Sequence, residues 1–166
     1  ILFSHPDDFT PVCTTELGQV ARLEPEFRAR NTKIIGAYSL TGLSANTIAS
    51  HSAWVSDIRD VSGAPVTFPI IADPERHVAQ LYDMLDALDP TNRDAYGIPL
   101  TGTQASLTVR DVFFIDPRRV IRAKISYPAS TGRHFGEILR VLDSLQLGDA
   151  HPVTTPADWH VGERYV

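Results

Sequence analysis

Apolar residues follow two patterns along the chain, and the two patterns alternate. Short apolar runs bounded by turn-forming residues predict strands at residues 1–3, 32–40, 66–73, 111–116 and 120–128. Apolar residues that recur every three or four positions predict helices at residues 14–30, after Ser44, at 75–82 and at 134–147. Strands that alternate with helices indicate a domain of the α/β class.

Prolines and turn-forming residues refine the ends of these elements. Pro25 should kink the first helix or start a second segment, and Ser44 is the expected N-cap of the second helix. The turn DPRR should join two strands into an antiparallel pair, and residues 86–106 should form a long loop. We therefore expect one domain over residues 1–147, followed by a largely irregular segment over residues 148–166.

Composition and charge narrow the class of function. The chain has 166 residues, of which 43% are hydrophobic and 21% charged, which is the balance of a globular domain with a real core. The net charge of −5 gives no support for nucleic-acid binding. No apolar run is long enough to span a bilayer.

Cys13 is the only cysteine, which limits the chemistry that the chain can perform alone. A single cysteine excludes an intramolecular disulfide, a dithiol exchange motif and a zinc site built on several cysteines. The six histidines are scattered, and none pairs with another at the i, i+4 spacing of a helical metal site. We expect neither a metal nor a cofactor.

Cys13 lies between a predicted strand end and a predicted helix start, where ligands commonly bind in open α/β sheets. A helix N-terminus favours a thiolate through its free N–H groups and partial positive charge. Ionisation alone does not make a thiol fast, because intrinsic nucleophilicity falls with thiol pKa with a Brønsted slope of about 0.4–0.5. Reactivity would need hydrogen-bond donors, and the candidates are the Thr10 hydroxyl, N–H groups after Pro11 and a distant arginine. The alternative is that Cys13 packs as a small hydrophobe.

The segment around this cysteine resembles a known family. Pro6-x-x-x-Thr10-x-x-Cys13, within SHPDDFTPVCTTELG, is similar to the signature of the peroxiredoxins and closest to their one-cysteine branch. The segments LEPEF, FPIIAD, FFIDP, YPASTGRHFGEILRVLDSLQL and TPADW extend the resemblance over nearly the whole chain. The resemblance implies a thioredoxin-like fold with a central mixed sheet flanked by helices. It also implies the reduction of hydrogen peroxide and organic hydroperoxides.

The resemblance implies catalytic roles for three residues. Cys13 would be the peroxidatic cysteine, the Thr10 hydroxyl would bond peroxide and thiolate, and Arg133 would lie beside the thiolate. Each has a simpler interpretation, since Thr10 could cap the helix and Arg133 could form a surface ion pair. Arg110 is set aside here as a structural residue.

Three further residues would shape the pocket or contact the substrate. Pro6 would shield the pocket, His5 matches a histidine typical of the one-cysteine branch, and Glu16 matches a carboxylate that orients the arginine. His5 could instead make a structural hydrogen bond. Glu16 would be favourable in the first turn of any helix.

The absence of a second cysteine predicts that the sulfenic acid formed on Cys13 needs an external reductant. The resemblance implies glutathione with a transferase, thioredoxin or ascorbate, and a homodimer formed through the strand at residues 120–128. We expect the cytoplasm as the compartment, with the mitochondrion as the alternative. The competing hypothesis is a non-catalytic thioredoxin-like interaction module or holdase chaperone. A hydrolase is disfavoured because the sequence has no G-x-S-x-G elbow.

The sequence departs from the family pattern at three places. Extra residues around Thr101–Leu107 predict a surface loop. Pro152 stands where a basic residue is usual in the family, so that position supplies no positive charge. The chain ends at Val166, and most of the C-terminal extension typical of this branch is not in the sequence.

Overall fold

A computed structural model describes residues 1–34, 43–44, 46–86, 93–98 and 107–166. The strands are β1 (Leu2–Phe3), β2 (Leu43–Ser44), β3 (Ile71–Ala72), β4 (Arg110–Ile115) and β5 (Ile121–Tyr127). The helices are α1 (Pro11–Ala29), α2 (Ile48–Ser62), α3 (His77–Leu81) and α4 (Phe135–Ala150). The mixture of strands and helices confirms the expected α/β class.

The described strands form two sheets. One is antiparallel with the order β1-β4-β5, and the other is the parallel pair of β2 and β3. Leu2 lies opposite Phe113, and Arg110 lies opposite Tyr127. The antiparallel pairing of β4 and β5 across the DPRR turn confirms the hairpin that the sequence predicts.

Strand β4 is buried on both faces because its side chains alternate between two hydrophobic clusters. Val112 and Phe114 belong to the larger cluster, which also contains Trp54 from α2 and Ile138 from α4. Phe113 points into the smaller cluster on the other side. A strand that is covered on both faces is rigid, and this rigidity makes β4 a firm support for a site at its start.

Helix α1 begins at Pro11, three positions before the predicted start, and runs through Pro25 to Ala29. The prediction that Pro25 starts a second helical segment is therefore wrong. Proline removes one helical N–H, but Phe27 beyond it is fully buried and holds the last turn against the core.

Helix α2 is capped by Thr47 rather than by Ser44, which lies in β2. The Thr47 side chain accepts a hydrogen bond from the Ser50 backbone N–H at 3.3 Å, as an N-cap residue does. The helix ends at Ser62, and its C-cap Gly63 has a left-handed φ of 71°.

Several other predicted boundaries move. The predicted strand at residues 66–73 shrinks to β3, because Pro69 lacks the N–H that a ladder needs. The predicted helix at residues 75–82 shortens to α3. Helix α4 extends three residues beyond 147, and residues 151–166 then form neither helix nor strand.

Two predictions fall mainly outside the described residues. The predicted strand at residues 32–40 is described only to residue 34, where no strand is formed. The predicted loop at residues 86–106 and the extra residues around Thr101–Leu107 are described only in part. None of the described helices is long and apolar enough to cross a membrane.

Candidate active site

The segment from Ser4 to Thr10 joins β1 to α1 and is fastened to the start of β4. The Ser4 N–H donates to the Asp111 carbonyl at 3.0 Å, and the Ser4 hydroxyl accepts from the Asp111 N–H at 2.8 Å. The Thr108 hydroxyl donates to the His5 carbonyl at 2.9 Å. Thr10 is extended, with φ −89° and ψ 146°, and Pro11 then starts the helix. These bonds fix the direction in which α1 leaves the sheet.

Cys13 lies in the first turn of α1 and is 0% exposed. Its Sγ atom accepts a hydrogen bond from Nη1 of Arg110 at 3.3 Å. The sulfur is therefore next to both a helix N-terminus and a guanidinium group.

Arg110, which the sequence analysis treats as a structural residue, is the arginine whose guanidinium donates a hydrogen bond to the sulfur. Its Nε and Nη2 atoms donate to the Ala129 carbonyl at 2.9 and 2.6 Å. Its Nη1 atom donates to Oε2 of Glu16 at 2.7 Å as well as to Cys13. The group is thus held from three sides. The signal in the sequence is the charged pair Arg110–Asp111 at the start of a strand that is otherwise apolar.

Arg133 lies behind Glu16 and does not take the contact on sulfur. Its Nη2 and Nε atoms donate to the Glu16 carboxylate at 2.9 and 3.2 Å, and its backbone N–H donates to Oε1 of Glu16 at 2.7 Å. Nη1 donates to the carbonyls of Ser4 and Asp111 at 2.8 and 3.1 Å. Arg133 is expected beside the thiolate, and the arginine that donates to Sγ of Cys13 is Arg110.

Glu16 joins the two arginines, because its carboxylate accepts hydrogen bonds from both Arg110 and Arg133. Burial lowers the pKa of the Arg133 guanidinium, and the charge of Glu16 opposes that shift. All three side chains are almost completely buried. A buried ion network of this kind is strongly oriented, because each group depends on its partners for compensation.

Thr10 and Pro6 are the two remaining residues of the motif, and the roles predicted for them are contacts with a bound peroxide. The Thr10 hydroxyl donates to the Asp7 carbonyl at 3.0 Å and makes no capping bond to α1. Pro6 is buried. Their roles toward a peroxide remain predictions.

His5 belongs to a buried network with Asp8 and His51. Nε2 of His5 lies 2.9 Å from Oδ1 of Asp8, and Nδ1 of His51 lies 2.7 Å from Oδ2. The Ser50 hydroxyl also donates to Oδ2, at 2.6 Å. Burial would raise the pKa of Asp8, but the hydrogen bonds from His5, His51 and Ser50 lower it well below its ordinary value.

The same three side chains are the one candidate metal site that the described residues offer. One ligand atom from each lies within 4.8 Å of the others, and two imidazoles with one carboxylate suit several transition metals. However, Nδ1 of His5 and Nε2 of His51 have no partner, whereas metal-bound histidines almost always donate through the second nitrogen. The donors on Asp8 therefore fit a hydrogen-bonded triad better than a metal centre.

Trp54 connects this triad to the cysteine turn. Its ring centroid lies 5.0 Å from that of His5 and 6.4 Å from that of Phe9. Its Nε1 atom donates to the hydroxyl of Thr14, the residue after Cys13, at 2.9 Å. The triad and the arginine pair therefore flank the same turn of α1.

Comparison with known proteins identifies relatives of this arrangement. The model of the AhpC/TSA family matches residues 1–124. Peroxiredoxin-6 of Rattus norvegicus is 49% identical over 98% of this chain and 67% of its own length. The 1-Cys peroxiredoxin of Dictyostelium discoideum is 46% identical over 98% of this chain, which spans 59% of that relative.

Solved structures give the same result. A mutant of the peroxiredoxin 6 of Arenicola marina covers 99% of this chain with 46% identity and a TM-score of 0.83, and 68% of that structure is matched. The likeness confirms the expected thioredoxin-like fold.

Proposed function

Since the chain belongs to the AhpC/TSA family, in its one-cysteine peroxiredoxin branch, it is a thiol-dependent peroxidase, and we propose that Cys13 carries the reaction. The observation that supports this proposal is the hydrogen bond from Arg110 to a buried sulfur in the first turn of α1. The proposed substrates are hydrogen peroxide and organic hydroperoxides.

In the proposed reaction the Cys13 thiolate attacks one peroxide oxygen. The S–O bond forms as the O–O bond breaks, and the leaving hydroxide or alkoxide takes up a proton to become water or an alcohol. Cys13 becomes a sulfenic acid and the peroxide gains two electrons. Negative charge moves from sulfur to the leaving oxygen, so a fixed donor beside both atoms stabilises the transition state.

The guanidinium of Arg110 is the donor best placed for this task. It contacts the sulfur already, and Ala129 and Glu16 fix its plane. Arg133 acts through Glu16, as a positioning residue. The Thr10 hydroxyl remains the proposed donor from the other side of the substrate, because it can exchange its bond with the Asp7 carbonyl for one to a peroxide.

Return to the thiolate needs an external reductant, because the chain has no second cysteine. A thiol would displace water from the sulfenic acid to give a mixed disulfide, and a second thiol would release Cys13. We propose glutathione with a transferase, thioredoxin or ascorbate as reductant. A yeast mitochondrial 1-Cys peroxiredoxin, 45% identical over 99% of this chain, was solved in a study of thiol resolution via glutathione/thioredoxin systems. The cytoplasm is the proposed compartment, with the mitochondrion as the alternative.

The proposed homodimer would pair β5 with its copy. Strand β5 is one of the two outer strands of the described antiparallel sheet, and its first residue, Ile121, is exposed. An outer strand can extend a sheet across a two-fold axis. Sedimentation of a monomer at micromolar concentration would exclude this arrangement.

The decisive experiment mixes the reduced protein with stoichiometric hydrogen peroxide in a stopped-flow instrument. We expect Cys13 to react at least about a thousandfold faster than free cysteine, because electrostatic donors of this type supply that order of acceleration. Dimedone should trap one sulfenic acid per chain, and Cys13→Ser should show neither signal. A rate equal to that of free cysteine would contradict the proposal and would favour the non-catalytic module or holdase.

A further inference from the structure

The turn from Asp7 to Thr10, just before α1, holds a bulky residue in a backbone conformation that it does not favour. Phe9 has a φ of 57°, in the left-handed region that glycine adopts readily and other residues seldom adopt. Its side chain is 53% exposed, and its ring centroid lies 6.4 Å from that of Trp54, so packing of the ring offers little compensation for the strain. A strained turn persists only where the bonds around it impose its shape.

On the side toward α1, the bonds that impose this shape belong to Thr10. Its carbonyl accepts hydrogen bonds from the backbone N–H and the hydroxyl of Thr14 at 2.9 and 2.8 Å. Its own hydroxyl donates to the Asp7 carbonyl at 3.0 Å and closes the turn. The Thr10 hydroxyl therefore has a fixed position only as long as the Asp7 carbonyl keeps its own position.

On the side away from α1, the side chain of Asn46 holds the turn. Oδ1 of Asn46 accepts a hydrogen bond from the Asp8 N–H at 3.1 Å, and Nδ2 of Asn46 donates to Oδ1 of Asp7 at 2.7 Å. We call these two bonds the Asn46 clamp. Bonds to a carboxylate are stronger than bonds between neutral groups. Asn46 directly precedes Thr47, the N-cap of α2, so the clamp ties the turn to a helix of the core.

We propose that Asn46 is a positioning residue for peroxide reduction, because its clamp fixes the turn that places the Thr10 hydroxyl beside Cys13. This inference deepens the proposed peroxidase function and rests on it. Thr10 and Cys13 are three positions apart across the first turn of α1, where side chains are neighbours. A donor that is fixed before peroxide binds needs no reorganisation during attack, and a displacement of about 1 Å can cost about a hundredfold in rate.

The Asn46 clamp acts on one of the two side-chain donors proposed for the reaction. The other donor, Arg110, is oriented by its bonds to the Ala129 carbonyl and to Glu16, and these bonds do not involve the turn before α1. Loss of the clamp should therefore spare the sulfur and its reaction with an alkylating agent, while it slows the reaction with peroxide. A merely structural role of Asn46 would slow both reactions alike.

The first test is a double-mutant cycle of Asn46→Ala and Thr10→Val in the full chain, with second-order rates measured for hydrogen peroxide and for iodoacetamide. Asn46→Ala should slow the peroxide reaction by about 10- to 100-fold and change the iodoacetamide reaction by less than about twofold. In the Thr10→Val background it should slow the peroxide reaction no further, because the donor that it positions is already absent. An unchanged peroxide rate, equal losses with both reagents, or additive losses in the double variant would each overturn the inference.

An exchange of the two side chains covers the case in which Asn46→Ala does not fold. Asn46→Asp brings two carboxylates to the 2.7 Å contact and, at about pH 8, should slow the peroxide reaction at least about tenfold. Adding Asp7→Asn restores an amide donor and a carboxylate acceptor to this contact, and the new carboxylate can still accept from the Asp8 N–H. The double variant should therefore regain most of the rate. A fast Asn46→Asp, or a double variant as slow as the single one, would contradict the inference.

Two further proteins serve as references. Ser52→Ala removes a hydroxyl that donates to the Ile48 carbonyl on the exposed side of the same helix, and it should leave both rates unchanged. The wild type separates the inference from the proposed function: if it reacts with peroxide no faster than free cysteine, the proposed function fails. If the wild type is fast and Thr10→Val and Asn46→Ala are equally fast, only the positioning role fails.

Discussion

Replacing Arg110 by glutamine should slow peroxide reduction far more than the same change at Arg133. At a separation of 3.3 Å, a unit charge interacts with an ionised sulfur by about 5 kcal/mol when the effective dielectric constant is about 20. Glu16 lies 2.7 Å from the same Nη1 atom and offsets part of this energy. The loss of one fixed donor to developing charge then corresponds to a fall of about 10²–10³ in rate.

Arg133→Gln should act mainly on stability. It removes the Arg133 donor to the Ser4 carbonyl, and a buried carbonyl left unsatisfied costs about 1–3 kcal/mol, whereas the Asp111 carbonyl keeps the bond from the Ser4 N–H. Glu16 would still be paired with Arg110, so the donor on sulfur survives. We expect the rate of folded Arg133→Gln to fall by less than about tenfold, because no bond to Cys13 is lost.

The assay compares two reagents on each variant. Stopped-flow mixing with hydrogen peroxide reports both thiolate availability and stabilisation of the leaving oxygen, whereas iodoacetamide reports thiolate availability alone. Arg110→Gln should lose more rate with peroxide than with iodoacetamide, and Arg110→Lys should recover little, since one ammonium cannot reach Ala129, Glu16 and the sulfur together. A larger loss for Arg133→Gln than for Arg110→Gln would refute this reasoning and restore the role that the sequence analysis gave to Arg133.

Two further predictions concern stability and are measured by urea unfolding. Gly18→Ala should lower the free energy of unfolding by about 1–3 kcal/mol, because a Cβ there would lie 2.7 Å from Cβ of Ser62 where α1 crosses α2. In the control Gly148→Ala the new Cβ meets nothing closer than 3.6 Å, so this variant should be neutral or stabilising. Equal stabilities of the two variants would contradict the close packing at Gly18. Since burial lowers the pKa of His5, the unfolded chain binds the extra proton, so stability is full above the unfolded pKa of about 6.5 and falls below it by up to about 1.4 kcal/mol per pH unit. His5→Gln should flatten this slope between about pH 6 and pH 5, and parallel slopes for the two proteins would show that His5 does not contribute.

The sequence predicted the elements whose stability is local and missed boundaries that depend on distant partners. The hairpin of β4 and β5 and helix α4 have strong apolar patterns and clear turn residues, and both are present. The predicted length of the strand at residues 66–73 was too great. Its length depends on pairing with β2, and β3 pairs with β2 at two residues only. The second segment at Pro25 does not form, because local propensity does not register the tertiary burial of Phe27.

The candidate site shows the same division. Cys13, Thr10 and Glu16 are close together in sequence, so the motif and the predicted helix start were enough to select them as candidates. Cys13 and Glu16 both accept hydrogen bonds from the same group, Nη1 of Arg110. The choice between two arginines, 97 and 117 residues away from their contacts, depends on how β4 and the segment before α4 approach α1. The triad of Asp8, His5 and His51 is also tertiary, because it joins a loop to a helix 43 residues later.

Charge balance explains why two arginines are needed where a motif suggests one. The buried group contains two guanidinium ions and one carboxylate, so it carries one uncompensated positive charge when Cys13 is a thiol. That charge lies in direct contact with the sulfur, because Nη1 of Arg110 donates to Sγ of Cys13. The ion pairs that fasten β4 and the segment before α4 to α1 therefore also hold a net positive charge where negative charge would develop on a leaving oxygen. A single arginine paired with Glu16 would leave the group neutral, and the fold would then hold no net charge beside the sulfur.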